Sequence, residues 1–194
     1  MLERPSGVFP VVLPASYFPD DSMSDIKPVY LNENPTHHDA IEAINAEAFG
    51  PGRFARAAER VREQGPHDTA LCFVALVEGQ VIGSVRLTPV MAGQVAGHML
   101  GPLAVRPSYK NLGIGKQLVR ISVDAALQAG SEGVILVGDP PYYAPLGFEP
   151  VKARLDFPGP VDRSRVLVAP KGEEIHQRLA GKIAWRADSV SENA

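Results

Sequence analysis

The sequence predicts an α/β fold in which a mixed, mostly antiparallel sheet is flanked by helices, and three stretches carry that reading. "ALCFVALV" (70–77) and "VIGSVRLTPV" (81–90), turned at Glu78-Gly79, read as a hairpin of neighbouring antiparallel strands. "VAGHMLGPLAV" (95–105) is a further strand, ending near Val105. "GVILVG" (133–138) is apolar throughout and directly follows an amphipathic helical pattern, so it needs a parallel neighbour and cover on both faces. With 194 residues the chain has room for one domain with a substantial core.

In chain order, the first 22 residues carry four prolines and no periodicity. Residues 1–25 therefore read as a loose N-terminal arm ahead of a single domain over 26–194. Met23, which opens "MSDIKPVY", stands equally well with Met1 as a translation start. "IKPVYL" is the first strand. Thr36 precedes a helix over "HHDAIEAINAEAFG", in which Asp39 completes a capping-box pattern, Ile41, Ile44 and Ala48 keep helical spacing, and Gly50 stops the helix. A second amphipathic helix is expected over Arg53 to Gln64. After Val105 and a glycine-containing turn, Ile114, Leu118, Ile121 and Ala125 line one face of a helix that ends at Gly130. Residues 99–138 thus form a strand, helix, strand crossover. Beyond Phe148, "FEPV" and "RVLVA" are expected as strands, with "KIAWR" as a terminal extension.

Composition narrows the partners. A formal net charge of −3, with 21% charged and 45% hydrophobic residues, gives no polyanion-binding surface, so nucleic acid is not expected. The longest apolar run, Ala70 to Val77, has eight residues against the roughly twenty needed to cross a bilayer, so no membrane partner is expected either. Cys72 is the one cysteine and lies inside that run, which suits a small core residue and a reducing cytoplasm.

The chemistry gathers at "KNLGIGKQL" (110–118), at the carboxyl edge of the crossover, where open α/β sheets bind ligands. A helix start leaves N–H groups unpaired and carries positive partial charge, and glycines let a phosphate approach closely. The spacing excludes a Walker loop, because Lys110 stands where its first glycine belongs and Gln117 where Ser or Thr must follow Lys116. It also excludes a dinucleotide fingerprint, since Leu118 replaces the third glycine.

"LGPLAVRPSYKNLGIGKQLV" resembles motif A of the GNAT-type N-acetyltransferases, whose Gln/Arg-x-x-Gly-x-Gly/Ala pattern is met by Gly113, Ile114 and Gly115, with Lys110 in the usual Gln or Arg position. "YYAPLGFEPV" is similar to that family's downstream "FY..LGF" segment, with Tyr143, Gly147 and Phe148 in register, and "LVGDPPYY" looks most like a bacterial branch of predicted acetyltransferases. The chain lacks the Asn that many relatives carry after the fifth strand. The resemblance implies a sheet splayed at a central parallel pair and acetyl-coenzyme A as cosubstrate, with no metal. In the family the pantetheine arm pairs with Leu103, Ala104 and Val105, and the pyrophosphate lies on the backbone of Lys110, Asn111, Leu112, Gly113, Ile114, Gly115 and Lys116, with Lys116 adding a positive charge. The implied reaction is direct attack of an amine on the thioester, with a small-molecule amine as acceptor and a homodimer left open. A non-catalytic acyl-coenzyme A sensor is the rival reading.

Two protons must move in such a transfer. Tyr143 matches the family's tyrosine acid, which protonates the departing thiolate, and Tyr142 is the second choice. His98, on the strand before Leu103, is the candidate base. His37 and His38 are adjacent rather than one helical turn apart, which argues against a metal pair. Arg53, Arg56, Arg60 and Arg62 read as a solvated helix face, and Asp139 before Pro140 as a turn former. The acceptor itself has no transferable code in the sequence.

Overall fold

Residues 27–52 and 57–187 are described by the computed structural model, and the arm expected over 1–25 lies outside them. A sheet is built in the order β1 (Val29–Asn32), β2 (Phe73–Val77), β3 (Gln80–Ala92), β4 (Val95–Val105), β5 (Gly133–Val137), β8 (Val166–Pro170), β6 (Glu149–Pro150). Every neighbouring pair in that path is antiparallel except β4 and β5. The crossover between these two is α3 (Ile114–Gln128), as the apolar β5 requires.

Local chemistry explains most boundaries. Asn34, rather than Thr36, caps the entry to α1 (His38–Phe49): its Oδ1 accepts from the Thr36 N–H at 2.9 Å, and His37 closes the capping box. Asp39 takes no part, because a short 3-10 turn, Pro35–His37, precedes the helix and moves the cap two residues upstream. The helix stops at Gly50. The second helix, α2 (Ala57–Arg62), ends two residues before the expected Gln64, and residues 53–56, with Arg53 and Arg56, lie outside the described residues. "ALC" is not strand but a turn, Thr69–Leu71, capped by Asp68.

Two helices sandwich the sheet. On one face α3 buries Ile114, Leu118, Val119, Ser122, Val123 and Ala126, while Ile121 and Ala125 are only half-buried. The buried stripe is wider than one row of side chains and centred a residue later than the periodicity indicates, because the helix lies across β2 to β5 and needs a broad apolar face. On the other face α1 sets Ile41 and Ile44, both fully buried, against Val74, Val81 and Ala104. A further cluster around Met99, Ile135, Ile175 and Ile183 closes the far end. There α5 (Ile175–Arg178) leads into β9 (Gly181–Trp185), so "KIAWR" is a strand and not a mere extension. It pairs with β3 through Val90, Met91 and Ala92, along the edge that β2 leaves beyond Val85, and its other edge takes the short β7 (Leu155–Asp156).

One feature of the register positions everything that follows. The ladder between β4 and β5 has only two pairs, His98 with Val134 and Met99 with Ile135, although β4 runs on to Val105 and β5 to Val137. Beyond those pairs the strands part. The β3–β4 register slips at the same level, between Val85 and Leu87, opposite Gly101 and Pro102.

Candidate active site

The parted strands open into a cleft of about 1280 Å³. Leu103, Ala104 and Val105 form one wall, and Leu136, Val137 and Gly138 the other. The mouth is the turn that enters α3. Asn111 and Gly113 take positive φ, 66° and 78°, and at Gly113 this left-handed residue is the cap of the helix. The first internal bond of α3 runs from the Gln117 N–H to the Gly113 carbonyl at 3.0 Å. The N–H groups of Ile114, Gly115 and Lys116 therefore have no carbonyl of the helix to bond, and all three residues line the cleft. Lys110, Asn111 and Gly113 line it too, whereas Leu112 does not and is 40% exposed. The turn thus offers a concave array of donors with a positive helix end, a shape and charge suited to phosphate.

Tyr142 and Tyr143 sit at the end of α4 (Pro140–Tyr143), directly after β5. Both line the cleft, with their rings edge to face and centroids 4.8 Å apart, and the Tyr143 ring stands similarly on Phe148 at 5.5 Å. The Tyr142 hydroxyl lies 2.8 Å from where a Cβ on Gly115 would be, so a side chain there requires the tyrosine to shift. Lys116 Nζ is 6.0 Å from the centre of the Tyr142 ring. Burial raises the pKa of both phenols, and for Tyr143 the neighbouring Tyr142 adds to the rise while Arg165 opposes it. Each is a hydrogen-bond donor throughout the neutral range. Asp139 lines the cleft and accepts the Tyr142 N–H on its carbonyl at 3.0 Å, the turn-forming role expected of it.

Deeper in, below α1 and α2, lies a charged group that sequence reasoning missed. Arg86 projects from β3 and is almost fully buried. Its Nε and Nη2 donate to the Glu33 carboxylate at 2.6 to 3.1 Å, and its Nη1 donates to Glu42 at 3.0 Å. Burial works against ionisation of Glu33, but hydrogen bonds from His67 and Arg86 overcome it and hold the carboxyl at about 2. His67 Nε2 is 3.5 Å from Glu33 Oε1, and the ring lines the cleft beside Arg86, Thr88 and Leu100. A signal was available: "SVRLT" places one arginine within a strand that otherwise reads as buried, and such a charge requires partners. Which carboxylates supply them is long-range and not written locally.

His98 sits elsewhere. It is buried at 4% exposure on β4, it is not among the cleft-lining residues, neither ring nitrogen has a hydrogen-bond partner, and Nε2 faces Asp68 Oδ2 at 3.5 Å. Alternation along β4 puts it on the face that holds Leu100 and the α3 core, and unlike Leu100 it does not line the cleft. Cys72 is a core residue, as expected; burial pushes its thiol up to about 12, and Sγ donates to the Asp68 carbonyl at 2.9 Å. Glu33, His67 and Cys72 bring ligand-type atoms within 4.8 Å of one another, and Arg86 donates to the carboxylate among them. Of the helix arginines, Arg60 reaches the Pro158 carbonyl at 3.4 Å, and Arg62, which pairs with Glu59, lines the cleft next to Gly101. His37 bonds Asn34 at the start of α1. Among the described residues no helix is long and apolar enough to cross a membrane.

A mostly antiparallel sheet that opens at a parallel pair beneath a helix start is the architecture of N-acetyltransferases of known structure. GNAT family N-acetyltransferase YhbS from Escherichia coli, solved in complex with CoA, superposes with a TM-score of 0.69 at 27% identity, over 83% of this chain and 91% of that one. A GNAT family acetyltransferase from Brucella melitensis, in complex with acetyl-CoA, shares the fold with a TM-score of 0.60 at 24% identity, over 83% and 97% of the two chains. Residues 38–148 match the model of the acetyltransferase (GNAT) family. In sequence, the uncharacterized N-acetyltransferase YjhQ of Escherichia coli (strain K12) is 30% identical over 124 residues, 62% of this chain and 68% of its own. YhbS of the same strain is 35% identical over 123 residues, 60% and 71% of the two chains. The chain belongs to the acetyltransferase (GNAT) family.

Proposed function

We propose that this protein transfers the acetyl group of acetyl-coenzyme A to the amine of a small-molecule acceptor. The observation that carries the reading is the start of α3 at the mouth of the parted strands. Unpaired N–H groups at Ile114, Gly115 and Lys116, the left-handed Gly113 and the Lys116 ammonium suit the pyrophosphate of the cosubstrate. The stretch of β4 from Leu103 to Val105, paired with β3 on one side but not with β5 on the other, suits the amide groups of a pantetheine arm, which can add to it as a short strand. An extended thioester entering this way reaches the point where β4 and β5 part, near Leu100 and Leu136.

The chemistry there is acyl transfer. The amine nitrogen bonds to the carbonyl carbon, an oxyanion forms, the carbon–sulfur bond breaks, and coenzyme A leaves as a thiolate. Tyr143 is our candidate for the proton donor to that thiolate. Its pKa, raised by burial, keeps the phenol protonated in the resting site, where it can offer its hydrogen to the charge growing on the sulfur. No role in the transfer falls to His98. Calorimetric titration of the protein with coenzyme A and acetyl-coenzyme A tests the binding half, and thiol release across a panel of amines tests the transfer half. Heat without thiol release from any amine would leave an acyl-coenzyme A sensor; no heat from either nucleotide overturns the reading.

A further inference from the structure

We propose that His67 is the catalytic base of the transfer and that Glu33, clamped by Arg86, positions it; this rests on the acetyltransferase reading above. His67 belongs to the loop between α2 and β2, far in sequence from the glycine turn, yet its ring lines the same cleft as Gly115 and Tyr143. Nε2 is turned to Glu33 Oε1 at 3.5 Å. A neutral imidazole that gives its Nε2 hydrogen to Glu33 keeps the lone pair on Nδ1, so the carboxylate selects the tautomer that accepts a proton. Glu33 is itself held on two sides of its carboxylate by Arg86, whose side chain is only 10% exposed and cannot swing away without leaving a buried charge. Base, orienting carboxylate and anchoring cation thus form a relay of fixed members, the arrangement that makes a side chain effective in proton transfer.

The step balances simply. As the amine nitrogen bonds to the thioester carbon, its remaining N–H becomes acidic, and Nδ1 of His67 takes that proton. The imidazolium so formed is stabilised by Glu33. Around the ring stand Glu33 after β1 and Cys72 ahead of β2; Arg86 from β3 bonds Glu33 and also Glu42 of α1; Glu59, Arg62 and Glu63 line the same cleft; and Asp68, the next residue, faces His98 instead.

The test uses acetyl-coenzyme A with the fastest primary amine of a panel that includes spermidine, lysine and phenethylamine. The expected result for His67→Gln is a fall in kcat of about 10²-fold, loss of the acid limb of the pH profile, and an unchanged coenzyme A affinity by calorimetry. His67→Ala should regain rate with added imidazole. Glu33→Gln should lower kcat by less than His67→Gln does while leaving KM for acetyl-coenzyme A unchanged, because the ring has lost the carboxylate it faces. A His67→Gln enzyme with the wild-type rate and acid limb overturns the proposal. So does a loss of rate that tracks melting temperature or coenzyme A affinity and ignores imidazole. Failure of the wild-type protein to bind coenzyme A, seen in the same calorimetry, removes the acetyltransferase reading and this inference with it.

Discussion

The hydroxyl of Tyr142 fills the space that a side chain on Gly115 would need, 2.8 Å from the position of its Cβ. The glycine turn and the tyrosine pair after β5 are therefore fitted to each other across the mouth of the cleft, and a side chain at Gly115 displaces the tyrosine.

Gly115→Ala should push Tyr142 out of place and lower affinity for coenzyme A by about tenfold, a loss on the order of 1.4 kcal/mol. Combining it with Tyr142→Phe should restore part of that affinity, since the phenyl ring lacks the obstructing oxygen. Calorimetry on the two single variants and the double variant measures the coupling, and strict additivity counts against the contact.

Tyr143→Phe should slow turnover by about 10²-fold while coenzyme A binding stays within twofold. The ring still packs on Phe148, so the melting temperature should hardly move. Equal turnover in the two proteins removes the phenol from the transfer.

The Glu33 clamp should show in acid stability. Its carboxyl titrates at about 2 when folded against 4.5 ordinarily, so the contribution is complete above pH about 4.5 and is lost as pH falls towards about 2. The effect is on the order of 3 kcal/mol. Urea melts at a series of pH values should record a steep loss in that window. Glu33→Gln should flatten it, and Arg86→Ala should destabilise at neutral pH by about 3–5 kcal/mol, because it strands a buried carboxylate.

Cys72 should resist iodoacetamide at pH 8 in the folded protein and react fully in denaturant. The thiol is fully buried and held at about 12, so the thiolate that does the alkylation is scarcely present. Mass spectrometry of the native protein showing rapid modification would contradict the packing described.

Ile44→Ala should cost about 2–5 kcal/mol, since the side chain is fully enclosed between α1 and Val74, Val81 and Ala104. Chemical denaturation measures it directly.

Much of the scaffold is legible in the chain because its signals are local. Two apolar stretches joined at the Glu78-Gly79 turn mark the β2–β3 hairpin, "VAGHMLGPLAV" coincides with β4, and the apolar run after α3 demands the parallel pairing with β4. Errors cluster where distant chain segments compete. The true cap of α1 is Asn34 because a 3-10 turn intervenes, the buried stripe of α3 is set by the breadth of the sheet beneath it, and "KIAWR" becomes a strand because β3 outruns β2 and leaves an edge to be paired.

The same division governs the site. The amino-acid sequence by itself determined the crossover, the glycine turn at its carboxyl edge and the tyrosine pair beyond it, because each is a matter of residues close along the chain whose backbone preferences act together. Only the tertiary structure decided that β4 and β5 part after two pairs, that His98 faces the core, and that Glu33 joins His67 and Arg86, the last two lining the cleft. Those three come from separate elements, and a buried arginine announces in the sequence that it needs carboxylates without saying which; the choice is made by the strand order and register that fold them together.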